Sequence, residues 1–232
     1  MTEESDLRVR SEQIAERLTT IEARLRAVGR DDIEIVAVSK TFPAMSVAAA
    51  ALAGLSTIGE SYAQEFEAKH SEYQQDFASD RDFGVPPVSW QFIGGLQRNK
   101  IRRIASLVDL WQSVDRIPVA IEIAKRAPGA AVLLQVDISG EDSKGGCPAQ
   151  EIEALLDGAT NAGLDVRGLM TIGPLADPEA ARPGFALVRR LADQLDLAVV
   201  SMGMSADLEV AASEGSTMVR VGSALFGDRS SS

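Results

Sequence analysis

Apolar residues recur along this chain in two alternating rhythms. Ile14, Leu18, Ile21, Leu25 and Val28 fall at four- and three-residue steps on one helical face, and Gly29 supplies the stop. The next stretch, Ile35-Val36-Ala37-Val38-Ser39-Lys40-Thr41-Phe42-Pro43, is a short apolar run with a lysine at its far end. Such a run reads as a strand buried on both faces, and it must stop near Pro43, which cannot donate to a sheet ladder. Residues 44–53 are alanine-rich and closed by Gly54, a helix by propensity and cap. Further strands are predicted at 55–59, 88–93, 107–113, 130–138, 166–172, 197–202 and 218–221. Between them lie helical stripes through Tyr62, Phe66, Lys69 and Tyr73, through Ile117, Ile121 and Ala124, through Ile152, Leu155, Leu156 and Ala159, and through Phe185, Val188, Leu191 and Leu195. The Tyr62 stripe reads as core and boundary packing. Residues 74–87, polar and punctuated by Gly84, Pro86 and Pro87, form the longest connection and read as a mobile loop.

Eight strands alternating with helices occupy about the length of a minimal (β/α)8 barrel, ~250 residues. A doubly wound open sheet is the alternative. The barrel is preferred because eight units fill the chain, which gives one α/β domain over residues 1–232 with an extra N-terminal helix. Residues 1–10 and 228–232 are expected to fray.

Composition narrows the chemistry. A net charge of -11 argues against a nucleic-acid or anionic-membrane partner. The polar start MTEESDLRVR does not resemble a signal peptide, and no apolar run approaches the ~20 residues needed to span a bilayer, so a cytoplasmic protein is expected. One cysteine, Cys147, and one histidine, His70, exclude an intrachain disulfide and a Cys- or His-rich metal site. His70 falls within a helical pattern and reads as a helix-surface residue. Arg98, Lys100, Arg102 and Arg103 make a local basic patch, either a solvated helix face or a site for an anion. Chemistry is left to Lys, Arg, Ser, carboxylates or a cofactor.

Lys40 stands where parallel α/β folds put their ligands, at the carboxyl end of a strand. Partial desolvation there disfavours the charged form and makes a nucleophilic amine more accessible; a lysine that snorkels to solvent is the alternative. In a barrel the first and last strands are neighbours, and the seventh adjoins the eighth. Their ends carry Lys40, Ser205 and the run Arg220-Val221-Gly222-Ser223. Gly222 permits close backbone approach, the amides of Ser223 and Ala224 would meet an anion at a helix start, and the hydroxyls of Ser205 and Ser223 add donors. An amine beside a phosphate cradle is what a pyridoxal phosphate Schiff base requires.

The stretches Val38-Ser39-Lys40-Thr41, Gly59-Glu60-Ser61-Tyr62, Trp90-Gln91-Phe92-Ile93-Gly94, Leu96-Gln97-Arg98-Asn99-Lys100, Gly168-Leu169-Met170, Ser201-Met202-Gly203-Met204-Ser205 and Ser216-Thr217-Met218-Val219-Arg220-Val221-Gly222 resemble the YggS/PROSC family of pyridoxal phosphate homeostasis proteins. The resemblance runs in order from about Ile35 to Gly227. It implies a single barrel like the first domain of alanine racemase, with Lys40 forming the Schiff base, Arg220 facing the pyridine nitrogen, and Ser205, Gly222 and Ser223 around the phosphate. Ser61 and Met202 complete the implied cofactor-binding set. Ser61 stands where the family usually has Asn, Gln91 replaces a usual His, and Phe42 occupies a position that is Lys in some members. Lys144 matches a family lysine near the site, or is a plain loop charge.

Two functions follow. One is a monomeric carrier that buffers pyridoxal 5'-phosphate and delivers it to apo-enzymes without turnover. The alternative is a pyridoxal phosphate-dependent amino-acid racemase. Arg220 stays protonated, so it would donate to the ring nitrogen and leave a poor electron sink. The resembling racemase takes its second acid/base group from an additional domain and dimer partner, which residues 227–232 cannot supply. The carrier is favoured.

Overall fold

In a computed structural model of the chain, residues 3–78, 83–140, 145–174 and 177–227 are described. Eight parallel strands close into a barrel: β1 (Glu34–Val38), β2 (Thr57–Glu60), β3 (Ser89–Phe92), β4 (Leu110–Val114), β5 (Ala131–Asp137), β7 (Asp165–Thr171), β8 (Val199–Ser201) and β9 (Met218–Val221). The ring runs β4-β3-β2-β1-β9-β8-β7-β5 and shuts through β4–β5, with Leu110 opposite Ala131. β6 (Cys147–Pro148) adds two residues outside the ring, pairing Cys147 with Val136. No periodic signal in the sequence marks so short an element.

The strands read as continuous apolar runs because both faces are covered. Val36, Leu110, Ala131, Leu133, Met170 and Met218 fill the inside of the barrel, while alternate residues such as Ala37, Val132, Leu134 and Val219 meet the surrounding helices. Two positions further along the same face, Leu110 gives way to Gln112, Leu133 to Gln135 and Met218 to Arg220. The interior therefore changes from apolar to polar toward the carboxyl ends of the strands.

The surrounding helices include α1 (Glu3–Ala27), α2 (Ala44–Leu52), α3 (Ala63–Tyr73), α4 (Arg98–Ile104), α5 (Ile117–Arg126), α6 (Ile152–Asn161), α7 (Arg182–Gln194), α8 (Leu208–Ser213) and α9 (Ser223–Phe226). α1 buries Leu7, Ile14, Ile21 and Leu25 and packs on α2, α8 and α9. Of the segment 1–10 expected to fray, residues 3–10 lie in α1, where Leu7 is buried, and residues 1–2 lie outside the described residues. The expected tail at 228–232 lies outside the described residues.

The helix marked by Ile117, Ile121 and Ala124 is present as α5, although its buried face carries Val119, Ala120 and Ile123 while Ile117 and Ile121 are 42% and 53% exposed. Two further expectations are corrected. Part of the polar stretch 74–87 is ordered: Gln74–Ala78 extends α3 as a π-helical turn, Phe77 stacks between Tyr73 and Phe83, and the Tyr73 hydroxyl donates to the Pro86 carbonyl. β4 starts at Leu110 rather than 107, because Leu107 N–H closes a turn on Ile104 and the Asp109 carboxylate accepts from Trp90 N–H.

Candidate functional site

Val36 and Val38 face the barrel interior, and Lys40 follows two residues on, half-buried at its mouth. The strand ends in a turn in which Phe42 N–H donates to the Ser39 carbonyl at 3.0 Å. Thr41 lies within this turn at φ +70°, a left-handed conformation that costs a β-branched residue on the order of 1–3 kcal/mol. The turn is also held from outside, where the Phe42 ring packs on Phe226 of α9 at 5.0 Å.

Beneath this turn, between the barrel and α3, lies a buried polar cluster. Lys69, 4% exposed, donates to the Ser39 carbonyl at 2.7 Å, to Glu60 Oε1 at 2.5 Å and to Glu65 Oε1 at 2.9 Å. Ser39 Oγ also donates to Glu60 Oε1, at 2.6 Å, and Thr41 N–H donates to Glu65 Oε1 at 2.5 Å. Burial pushes the Glu60 carboxyl up, against the opposing pull of Lys69 and the hydrogen bond from Ser39. Lys69 belongs to the stripe whose spacing presents it as core and boundary packing, and that spacing carries no sign of this role. The available signal was Glu60 itself, a carboxylate ending an apolar strand, which when buried needs a cationic partner.

β1 and β9 are neighbours, with Val36 opposite Arg220 and Ala37 opposite Val221. A Cβ on Gly222 would stand 3.5 Å from the Val38 carbonyl, so the backbone leading into α9 passes beside the Lys40 strand. Ser223, exposed, begins that helix. Arg220 is 4% exposed and is held by oxygens of two other strand ends. It donates to the Ser201 carbonyl at 2.9 Å, to Ser201 Oγ at 2.8 Å and to the Thr171 carbonyl at 2.7 Å. Desolvation pulls its pKa down to about 10, with Asp207 opposing, so it stays protonated at neutral pH. Ser201 Oγ in turn donates to Gln112 Oε1 at 2.7 Å, and Gln112 donates to Gln91. A polar chain thus crosses the barrel below its mouth and fixes the guanidinium.

Ser205, half-buried, lies in the loop after β8. Met204 N–H donates to Asp207 Oδ1 at 2.6 Å, and Arg24 of α1 donates to the Ser205 carbonyl at 3.1 Å. Arg17, two turns earlier on α1, donates to the Leu225 carbonyl at 3.0 Å, so one helix holds both loops of the expected phosphate cradle. These arginines carried no signal beyond the polar face of an amphipathic helix. Ser61 follows β2, and its carbonyl would be only 2.0 Å from a Cβ on Gly94. Met202 is fully buried in the outer core, and its carbonyl accepts from Ser216 Oγ, so its side chain is not among those lining the barrel interior. Lys144 lies outside the described residues.

Arg103 in the basic patch ties α4 to Glu67 of α3. His70 is half-buried rather than a surface residue, its ring 5.4 Å from Trp90 and edge-on to Phe66. Among the described residues no group of three His, Cys, Asp or Glu could hold a metal ion, and no helix is long and apolar enough to cross a membrane.

Comparison with known proteins agrees with this architecture. The family model described as alanine racemase, N-terminal domain, matches residues 9–230. A pyridoxal phosphate homeostasis protein of Pseudomonas aeruginosa is 41% identical over 230 residues, covering 93% of this chain and 96% of its own. One from Escherichia coli K12 is 36% identical over 212 residues, covering 86% and 87%. The structure of PipY from Synechococcus elongatus, solved with PLP bound, superposes with a TM-score of 0.78 at 31% identity, covering 92% of this chain and all of its own. The fold is that of the alanine racemase N-terminal-domain barrels. Within them, the chain belongs to the YggS/PROSC family of pyridoxal phosphate homeostasis proteins.

Proposed function

We propose that this protein binds pyridoxal 5'-phosphate, holds it as a Schiff base on Lys40, and buffers it for delivery to apo-enzymes in the cytoplasm, acting as a monomer. The observation that carries this reading is the pairing of β1 with β9, which sets the Lys40 turn beside Gly222, Ser223 and the buried Arg220. The donor set fits a phosphorylated pyridine aldehyde: an amine, a fixed cation below it, and hydroxyls with a helix start at the rim. The bound form of PipY, a relative with the same barrel, supports the choice of ligand.

When bound, the cofactor supplies an electrophilic aldehyde carbon and, if its ring nitrogen is protonated, an electron sink. Lys40 is the residue that would hold the cofactor covalently, its neutral amine supplying the nucleophile for the aldehyde carbon with the aldehyde oxygen lost as water. Release would restore the free Lys40 amine, either by hydrolysis or by exchange onto an acceptor's lysine. Arg220 is held by carbonyl and hydroxyl oxygens and stays charged, so it would donate to the ring nitrogen without giving up a proton. That arrangement favours storage over the carbanion chemistry of a racemase. Ser205, Gly222 and Ser223 would hold the phosphate, and Ser61 and Met202 would complete the cofactor-binding set.

Incubation of the loaded protein with a panel of L-amino acids, following chirality and α-hydrogen exchange, tests the class. The expected result is no sustained turnover, together with restored activity when the protein is mixed with an apo pyridoxal phosphate enzyme. Turnover at ordinary enzymatic rates that is lost in Lys40→Ala would make the protein a racemase or transaminase.

A further inference from the structure

The cluster beneath the Lys40 turn grips the backbone on both sides of that lysine. On one side Lys69 Nζ binds the Ser39 carbonyl and Glu60 binds the Ser39 hydroxyl. On the other, Glu65 takes the amide of Thr41, the residue held at φ +70°. Lys69 joins the two grips, since its ammonium touches Glu60 and Glu65 together. α3 carries Glu65 and Lys69 one turn apart on one face, so the helix presents the pair as a unit.

Packing alone does not require these groups. Burying Lys69 at 4% exposure and Glu60 at 0% is expensive unless each contact is made, and Glu60 Oε2 is buried with no hydrogen-bond partner among the described residues. A strained β-branched residue persists only where its surroundings over-determine it, and here the strain sits next to the residue expected to react. Thr41 would relax toward negative φ if its amide were released. That change would loosen the turn and leave the Lys40 amine without a fixed direction. The phosphate loops and Arg220 have holds of their own in α1, Ser201 and Thr171, and the turn meets them only through the Phe42 ring on Phe226 of α9.

We propose that Glu65 and Lys69 are positioning residues for Lys40: together with Glu60 they lock the Ser39–Thr41 backbone in the strained turn that aims the amine at the cofactor aldehyde. The inference rests on the reading of Lys40 as the Schiff-base lysine. It sets a division of labour in which the clamp governs covalent capture and the cradle governs recognition of the phosphate.

The test compares two ligands by equilibrium dialysis: pyridoxal 5'-phosphate, and pyridoxine 5'-phosphate, whose alcohol cannot form the imine. Wild-type protein is expected to prefer the aldehyde. Glu65→Ala, at a partly exposed position that tolerates truncation, and Lys69→Met should each weaken the aldehyde about tenfold or more, the usual scale for a misplaced reacting group. Their affinity for the alcohol should stay within about twofold of wild type. Thr41→Gly, which accepts the left-handed turn without a clamp, should recover most of the loss in Glu65→Ala. Hydrogen exchange at the Thr41 amide, measured without ligand, should accelerate in Glu65→Ala. Equal weakening of both ligands, or no rescue by Thr41→Gly, would reduce the cluster to a folding element and overturn the proposal. No aldehyde preference in wild type, with fast Thr41 exchange already present, would overturn it too. No preference with a protected Thr41 amide that Glu65→Ala releases would show the failure to lie in the role assigned to Lys40, and the proposal falls with it.

Discussion

Arg24 of α1 and Glu209 of α8, 185 residues apart in the chain, form a two-pronged ion pair at 2.6 and 2.8 Å. The same guanidinium reaches the Ser205 carbonyl. The helix that precedes the barrel thereby fixes the loop from which Ser205 is expected to meet the phosphate. Arg24→Ala should weaken pyridoxal 5'-phosphate and inorganic phosphate by similar factors, because both depend on that loop. An effect confined to the aldehyde would contradict this division.

The pair also sets an acid limit. The Glu209 carboxyl is held below 4.5, first by its hydrogen bond from Arg24. A carboxyl depressed in the folded state contributes stability above its unfolded value, and that contribution is lost as pH falls through the lowered folded value. Glu209→Gln should therefore be less stable than wild type at neutral pH and converge with it in acid. The pair is partly exposed, so the difference should be about 1 kcal/mol or less. A gap in urea denaturation that persists undiminished below pH 3 would assign the loss to packing.

His70 gives a second pH dependence of known sign. Burial against Trp90 and Phe66 pushes its pKa below 6.5, while Asp109 pulls the other way. The fold prefers neutral imidazole, so the stability tied to it is intact above 6.5 and declines as pH falls through the lowered value. As the chain's sole histidine, its ring protons can be followed directly by NMR. The titration midpoint should lie below 6.5, and His70→Gln should flatten the decline; a midpoint above 6.5 would refute the burial argument.

Gly94 is demanded by geometry rather than by its own conformation. A Cβ there would sit 2.0 Å from the Ser61 carbonyl oxygen, a backbone atom that cannot step aside alone. Gly94→Ala should cost at least the ~1–3 kcal/mol typical of overpacking, with displacement of the Ser61 loop. Thermal unfolding within a degree of wild type would mean that the two loops are loosely joined.

Truncating Arg220 should be severe for a different reason. Arg220→Met would strip the Ser201 and Thr171 carbonyls of their donor inside the barrel, at about 1–3 kcal/mol for each buried group left unpaired. A loss below about 0.5 kcal/mol in urea, the scale of surface substitutions, would show that water or neighbouring groups take its place.

The barrel was legible because its strands are buried on both faces, which leaves unbroken runs such as Val132 to Leu134 and Val36 to Val38. The position of Lys40 at a strand end could be read for the same reason, since Pro43 marks where the strand must stop. The face of α5 could not. Apolar residues lie on two sides of that helix, and periodicity does not say that Ile117 covers Gly158 of α6 while Ile123 meets the barrel. The clamp was hidden for another reason. Glu60 and Lys69 are nine residues apart on different elements, and only the placement of α3 over β2 brings their charges within 2.5 Å.

Reduction with borohydride after loading with pyridoxal 5'-phosphate, followed by peptide mapping, tests the central claim most directly. Reduction turns the C=N bond into a stable secondary amine, so the site of capture is recorded covalently. The expected result is one pyridoxyl adduct per chain, on Lys40, absent from Lys40→Ala. An adduct confined to Lys69, Lys100 or Lys144, or none in a protein that has turned yellow, would contradict the account.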